Sequence, residues 1–253
     1  MAGNVGTPGA SVTSRVLAVL SAFDEQHRRL TLTEIAGRAG LPLATAHRLV
    51  GELAAAGFVR RRGDGKYVVG RRLWRLGLLA PAQSGLREVA SPFLSDLHAA
   101  TLATVHLAVR DGDCALYVDR ISGSASVPVV STVGTRLPLH ATGVGKVLLA
   151  YAPEELVASV LADLTRVTPY TVTQPGRLSR ELSRVRTEGY AQTHEEMSLG
   201  ACSVAVPVHG VGRTVVASLG LVVPSLKRDR PRLVAALQVA AQGIGRSLVT
   251  SAE

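Results

Sequence analysis

A helix-start signal followed by two short apolar periodicities constrains the fold of this chain more than any other feature. The stretch TLTEIAGRAGLPLATAHRLVGELAAAGF fills residues 31–58. Thr31 precedes Glu34 by three residues, the spacing at which the two side chains satisfy orphan N–H groups at a helix start. Ile35, Ala36 and Ala39 give this first helix a small apolar face, and Gly40-Leu41-Pro42 stops it. In the second run Ala46, Leu49, Val50 and Leu53 recur at helical spacing up to Gly57. Two short helices joined by a tight turn form a helix-turn-helix, whose second helix fits the DNA major groove. The opposite face carries Ala44, Thr45, His47 and Arg48, the residues that would point at DNA.

Residues 59–69, VRRRGDGKYVV, read as strand, turn and strand with a Gly-Asp-Gly tip. Arg60, Arg61, Arg62 and Lys66 flank that tip. A basic hairpin directly after a recognition helix is expected to be a wing lying along phosphates. The plainer alternative is a solvated charged edge that discourages strand-to-strand aggregation. Charge distribution bears on the choice. Formal net charge is +9, and residues 1–75 hold 12 basic and 5 acidic side chains, leaving the remaining 178 residues only weakly basic. The excess therefore lies with the helix-turn-helix, as a polyanion partner for the first third requires. Arg supplies 25 of the 28 basic residues, which suits forked phosphate or guanine contacts and equally suits a GC-rich coding bias.

Cys114 and Cys202 are the two cysteines, with no CxxC or Cys/His cluster beside them, so neither a disulfide scaffold nor a metal site is expected. No cofactor motif is present. The first residues, MAGNVGTPGAS, lack the apolar segment of a signal peptide, and no run of 18 apolar residues occurs. The expected location is cytoplasmic, with no membrane partner.

A helix from about residue 14, with Val16, Leu17, Leu20 and Phe23 on one face, would complete a three-helix core. After the wing, residues 71–79 read as helical with Trp74 as a packing or dimer contact, and Ala80-Pro81-Ala82 breaks the run. Leu86, Val89, Phe93, Leu94 and Leu97 mark the next helix, with Pro92 as either its kink or its start. Strands are expected at 104–110, 114–120, 127–133, 203–208 and 214–223, and helices at 145–151, 154–161, 177–188 and 230–249. Antiparallel hairpins mixed with helices read as an α+β domain.

Within it, residues 134–150, GTRLPLHATGVGKVLLA, run from a strand end through a Gly-containing loop into an apolar helix. N–H groups at such a start attract a carboxylate or phosphate, and Gly143 and Gly145 allow close approach. A plain tight turn explains the glycines equally well. A nucleotide loop is excluded because His140 stands where the first glycine of that motif belongs. Glu195-Glu196 reads as a turn or solvated pair rather than an acid–base couple, and Cys202 is eight residues from His194 across a loop that sets no geometry.

Taken together, GLPxxTxHRLxxxL at 40–53, YxxGxRLxxLG at 67–77, RLPLHATGVGKxLLA at 136–150 and RxxGYAxTxEExxxGxxSVAVPV at 186–208 resemble the bacterial IclR-family transcriptional regulators. Residues 1–12, Gly-, Ser- and Pro-containing without periodicity, read as a disordered tail; for the rest the resemblance implies a winged helix-turn-helix domain at 13–72, a linker helix at 73–85 and a GAF-like effector-binding domain at 86–250. It implies a homodimer or dimer of dimers on palindromic operator DNA and a small organic acid or similar metabolite as effector; repression is the expected outcome, although both signs of regulation occur in the resembling family. The DNA-contacting set is Thr45, His47, Arg48, Arg60, Arg61, Arg62 and Lys66. The effector set is Leu137, Thr142, Gly143, Val144, Ser203, Gly220 and Val222, with no catalytic or metal-binding residues.

Departures from the family pattern carry expectations of their own. Leu43 and Ala44 stand where the family often has Lys and Ser, leaving more of the contact to Thr45, Arg48 and the wing. Gly220 and Val222 replace hydroxyls, and Thr193 replaces a carboxylate, of members that sense small keto acids. A roomier, less polar pocket and an aromatic or longer acid are therefore expected. Two other classes remain to be distinguished: a small-molecule enzyme with a DNA-binding appendage, and a nonspecific basic architectural protein.

Overall fold

The computed structural model describes residues 11–24, 27–77, 84–123, 127 and 130–250. The chain divides into two compact units, residues 1–81 and 82–253. The expected tail falls almost wholly outside the described residues, as does the Ala80-Pro81-Ala82 break.

In the first unit α1 (Val12–Ser21) opens on Ser11, whose hydroxyl accepts from the Ser14 amide. The helix thus begins inside the stretch expected to be tail. Next comes α2 (Leu32–Arg38), closed at its start by the reciprocal pair read from sequence: Thr31 N donates to Glu34 Oε2 at 2.7 Å and Glu34 N to Thr31 Oγ1 at 3.3 Å. The turn reverses at Gly40, whose φ of +63° suits a residue without a Cβ. On α3 (Leu43–Ala55) the buried face is Ala46, Leu49, Val50 and Leu53. Leu49, Val50 and Leu53 pack with Val19, Leu30, Ile35 and Val59 in one core. β1 (Val59–Arg61) and β2 (Tyr67–Val69) form an antiparallel ribbon, and Leu30 extends it by two backbone bonds to Tyr67. α4 (Arg71–Gly77) buries nothing, and Trp74 is 66% exposed.

The second unit is a six-stranded antiparallel sheet sandwiched by helices, in the order β5-β4-β3-β8-β7-β6. Its strands are β3 (Thr104–Asp111), β4 (Cys114–Ile121), β5 (Arg136–Pro138), β6 (Ala191–His194), β7 (Cys202–His209) and β8 (Val215–Val223). Strand side chains alternate between faces, so each strand feeds two cores. Val105, Leu107, Val204, Val206, Leu219 and Leu221 face α5 (Ser84–Thr101) and α9 (Arg230–Thr250). Ala108, Tyr117 and Ala205 face α6 (Gly143–Ala150), α7 (Glu154–Ala162) and α8 (Pro175–Glu188).

The structure decides one open point of the sequence reading and departs from it in several places. Pro92, for which kink and helix start were both open, lies inside α5, as the first alternative has it. α9, at 21 residues, is long and apolar enough to cross a membrane by length and composition, yet Leu233, Leu237, Ala240, Ala241 and Ile244 belong to the core against the sheet. β5 and β6, only 3 and 4 residues long, escape period-2 reading. Among the described residues of the expected strand at 127–133, none is in a strand; 128 and 129 lie outside them. A tight turn forms at its end instead, with Thr135 N donating to Thr132 O at 3.0 Å and Thr132 N to Thr135 Oγ1 at 3.2 Å, and the chain then meets β4 through Gly134 N to Tyr117 O and Tyr117 N to Thr135 O.

Candidate nucleic-acid interface and ligand pocket

On α3 the face away from the core holds Ala44, His47 and Arg48, all exposed, with Thr45 half-buried beside them. Arg48 Nη1 donates to Glu52 Oε1 at 2.6 Å, one turn on, and both side chains are more than half exposed. An exposed pair at this spacing is worth about 0.3–0.5 kcal/mol, so exchanging it for a phosphate or base edge costs little. The wing residues divide. Cross-strand register sets Arg61 opposite Tyr67, and its guanidinium lies 6.0 Å from that ring centroid. Arg60 and Arg62, on the other face, border a cleft with Arg28 and Arg29. Lys66 is exposed at the end of the turn that Arg62 N closes on Lys66 O. Arg28 and Arg29 were missed in the sequence because they sit in a loop with no periodicity, before the recognition motif begins.

In the second unit the same alternation that builds the cores builds a pocket. Register aligns Thr193, Ser203 and Val222 in one row across β6, β7 and β8, and Ala205, Gly220 and His106 in the next across β7, β8 and β3. The first turn of α6 closes over these rows. The resulting pocket, about 480 Å³ including its open mouth, brings together Leu137, Thr142, Gly143, Val144, Ser203, Gly220 and Val222. It also contains His106, Tyr117 and Ser131, which the sequence reading did not single out. Their signal was weak: His106 and Tyr117 sit on strands buried on both faces, where no alternation singles them out.

Both readings of the 134–150 loop find a residue. A Cβ on Gly145 would stand 2.4 Å from Leu139 O, so that glycine permits the tight turn. Thr142 caps α6 by accepting from Gly145 N at 3.0 Å. Among the described residues, no hydrogen bond engages the amides of Gly143 and Val144, as expected of the first turn of a helix. Positive partial charge therefore collects at the pocket wall. A Cβ on Gly143 would meet Ser203 Oγ at 2.5 Å.

The remaining polarity is neutral. Thr193 Oγ1 and Ser203 Oγ are 2.6 Å apart, and Ser131 Oγ lies 2.9 Å from His106 Nε2. Burial pushes His106 down to about 3, with nearby Arg120 acting in the same direction, so the imidazole is neutral at pH 7. Burial likewise raises the Tyr117 phenol, keeping it a protonated donor beside Thr142. Among the described lining residues there is no Lys, Arg, Asp or Glu. The expectation of extra room at Gly220 is corrected: its absent Cβ would lie 2.8 Å from Val144 Cγ1, so Val144 occupies that space.

Two further readings change. Glu196 is not solvated; it is 6% exposed and paired with Lys146, and burial raises its carboxyl against the lowering effect of that ammonium. Cys202 does meet His194, because the β6–β7 register sets them opposite each other with Sγ and Nδ1 3.6 Å apart. Burial and then Glu195 raise the Cys202 thiol, which leaves it protonated rather than nucleophilic.

A winged helix-turn-helix followed in the chain by an α+β domain whose pocket has an uncharged, partly apolar lining among the described residues defines a DNA-binding regulator with a ligand-binding domain. Residues 12–63 match the IclR helix-turn-helix domain, and residues 80–246 match the bacterial transcriptional regulator IclR C-terminal domain. The chain belongs to the IclR family of transcriptional regulators. It is 34% identical over 210 residues to the HTH-type transcriptional regulator XynR of Escherichia coli, covering 82% of this chain and 83% of that protein. The glycerol operon regulatory protein of Streptomyces coelicolor is 34% identical over 240 residues, 92% of this chain and 94% of that one. Among solved structures, an IclR homolog from Microbacterium hydrocarbonoxydans, complexed with 4-hydroxybenzoate, superposes with a TM-score of 0.88 at 36% identity, covering 94% of this chain and 99% of that one.

Proposed function

We propose that this regulator is a repressor whose operator affinity is set by an aromatic acid bound between α6 and the sheet. One observation carries the reading. The pocket pairs free first-turn amides at Gly143 and Val144 with a neutral, partly apolar lining, and its described lining residues include no side-chain cation. A carboxylate suits the amides and the Ser203 and Thr193 hydroxyls, an aromatic ring suits Leu137, Val144 and Val222, and a phenol suits the neutral His106, Ser131 and Tyr117 group. The 4-hydroxybenzoate carried by the Microbacterium relative has this chemistry.

On the DNA side, Thr45, His47 and Arg48 approach bases or phosphates, while Arg60, Arg61, Arg62 and Lys66 hold the backbone. Exposed apolar residues on α1 (Val12, Leu17) and α4 (Trp74, Leu76) support a homodimer, with a dimer of dimers as the larger assembly on a palindromic operator. Its DNA partner locates its action in the cytoplasm. The effector shifts operator affinity only by its differential affinity for the two arrangements of the dimer.

A thermal-shift screen of the purified protein against aliphatic and aromatic acids, repeated with DNA from its own promoter region, tests this. A ligand at about 100 times its Kd stabilises the native state by about 2.7 kcal/mol. The expected result is an aromatic acid that raises the melting temperature and weakens promoter binding. Promoter binding without any shift from any acid would refute the pocket assignment.

A further inference from the structure

The proposed function leaves unused the most deeply buried charge in the pocket's surroundings. Lys146 is 1% exposed. Its ammonium donates to Glu196 Oε1 at 2.7 Å, Glu196 Oε2 at 2.8 Å and Glu181 Oε2 at 2.7 Å, so all three protons are committed. The placement is unfavourable twice over. The residue lies in the first turn of α6, where the helix dipole disfavours a cation, and the ion has been removed from water. Well-packed apolar side chains of the same volume would stabilise a core at least as well. What the ion pair adds is direction.

Its two ends belong to opposite walls of the pocket. Lys146 follows residues 142–144, which line one wall, with Gly145 between, and Glu196 directly precedes Met197 and Ser198, which with Ala201 line the other. Lys146 and Glu196 are 50 residues apart in sequence. The second wall also starts from an unfavourable backbone: Glu195 has φ +55°, a left-handed conformation that persists where the surroundings over-determine it. The surroundings here are specific. Thr168 Oγ1 donates to Glu195 O and Thr171 Oγ1 to Glu196 O, both at 2.7 Å, and Gly200 N donates to Glu195 Oε2 at 2.9 Å.

We infer that Lys146 is a positioning residue for the effector pocket: through Glu196 it holds the wall at residues 197–201 at a fixed distance from the wall at residues 142–144, without touching the ligand. The inference rests on the proposed reading of this pocket as the effector site. Glu181 is the dispensable member of the cluster, since it is more exposed and also pairs with Arg177.

The test replaces the tie with apolar volume in the full-length protein, Lys146→Met together with Glu196→Leu, and reads amide exchange at Gly200 and Ala201, which donate to Glu195 Oε2 and Ser198 O. The expected result is at least tenfold faster exchange at these amides, unchanged exchange in β3 and β8, and at least tenfold weaker binding of 4-hydroxybenzoate, with the melting temperature retained. A structural role alone would move the melting temperature and leave this local pattern absent. Glu196→Gln keeps the shape and leaves Lys146 paired with Glu181, so it serves if the double variant does not fold; faster exchange at the same two amides is again expected. Unchanged exchange at Gly200 and Ala201 in the variant measured overturns the inference. A wild-type protein that does not bind 4-hydroxybenzoate would count against the effector reading, and the exchange result would still decide the positioning role by itself.

Discussion

Acidification from pH 7 to pH 5 should cost the effector-binding unit about 2 kcal/mol through one side chain, His106. The imidazole is 3% exposed, and burial pushes its folded-state value down to about 3, against about 6.5 in the unfolded chain. Because the folded value is depressed, protons bind the unfolded state preferentially between these limits. The contribution is complete above pH 6.5 and is lost as pH falls through the window from about 6.5 to about 3, at about 1.4 kcal/mol per pH unit. For a unit of this size, 2 kcal/mol corresponds to a fall of roughly 4–8 °C in melting temperature. The comparison is with His106→Gln, which carries no titratable group there and can still hydrogen-bond Ser131. Calorimetric melts at pH 7 and pH 5 should show the wild type losing roughly 4–8 °C more than the variant. Contributions from other groups, Glu196 included, are common to both proteins and cancel. Parallel losses in the two would refute the assignment of a buried neutral His106, and with it the claim that the described lining residues offer an acid no side-chain cation.

Three further outcomes follow from the same geometry. Gly145→Ala should destabilise the effector-binding unit by about 1–3 kcal/mol despite alanine's better helix propensity, because the new Cβ meets the Leu139 carbonyl, and a denaturant melt measures it. Arg60→Ala and Arg62→Ala should each lower the slope of log affinity against log salt by about 1, and Arg61→Ala by less, since Arg61 lies on the other face against Tyr67; equal slopes for all three would contradict the division of the wing. Arg48→Ala should cost about 1–3 kcal/mol of operator binding and relax specificity, and full retention of both in a competition assay would remove α3 as the reading helix.

What was legible in the sequence was what short-range chemistry decides. Thr31 and Glu34 meet within one helical turn, and the α3 core face repeats every three or four residues, so the helix-turn-helix could be read directly. The long strands β3, β4, β7 and β8 run for eight or nine residues, enough to be read as strands, but with both faces buried the sequence does not mark which side chains enter the pocket. β5 and β6 offer no such run. Relations decided by register or long-range packing were not readable. His194 meets Cys202 only because a hairpin of one particular register sets them opposite each other, and Glu196 looked solvated because Lys146, its partner, is 50 residues away. Gly220 looked like open space because its filling, Val144, arrives from a helix. The effector residues drawn from family resemblance converge on one pocket, while His106, Tyr117 and Ser131 needed the folded sheet to join them.

The central claim is a coupling between the α6 pocket and the operator, and coupling is reciprocal. The most direct measurement is the Kd of 4-hydroxybenzoate, or of the best acid from the screen, for the full-length protein with and without saturating promoter DNA, alongside DNA affinity with and without saturating acid. The account predicts the same factor in both directions, at least fivefold and weakening. An acid that binds the pocket with identical affinity whether or not DNA is bound would contradict it.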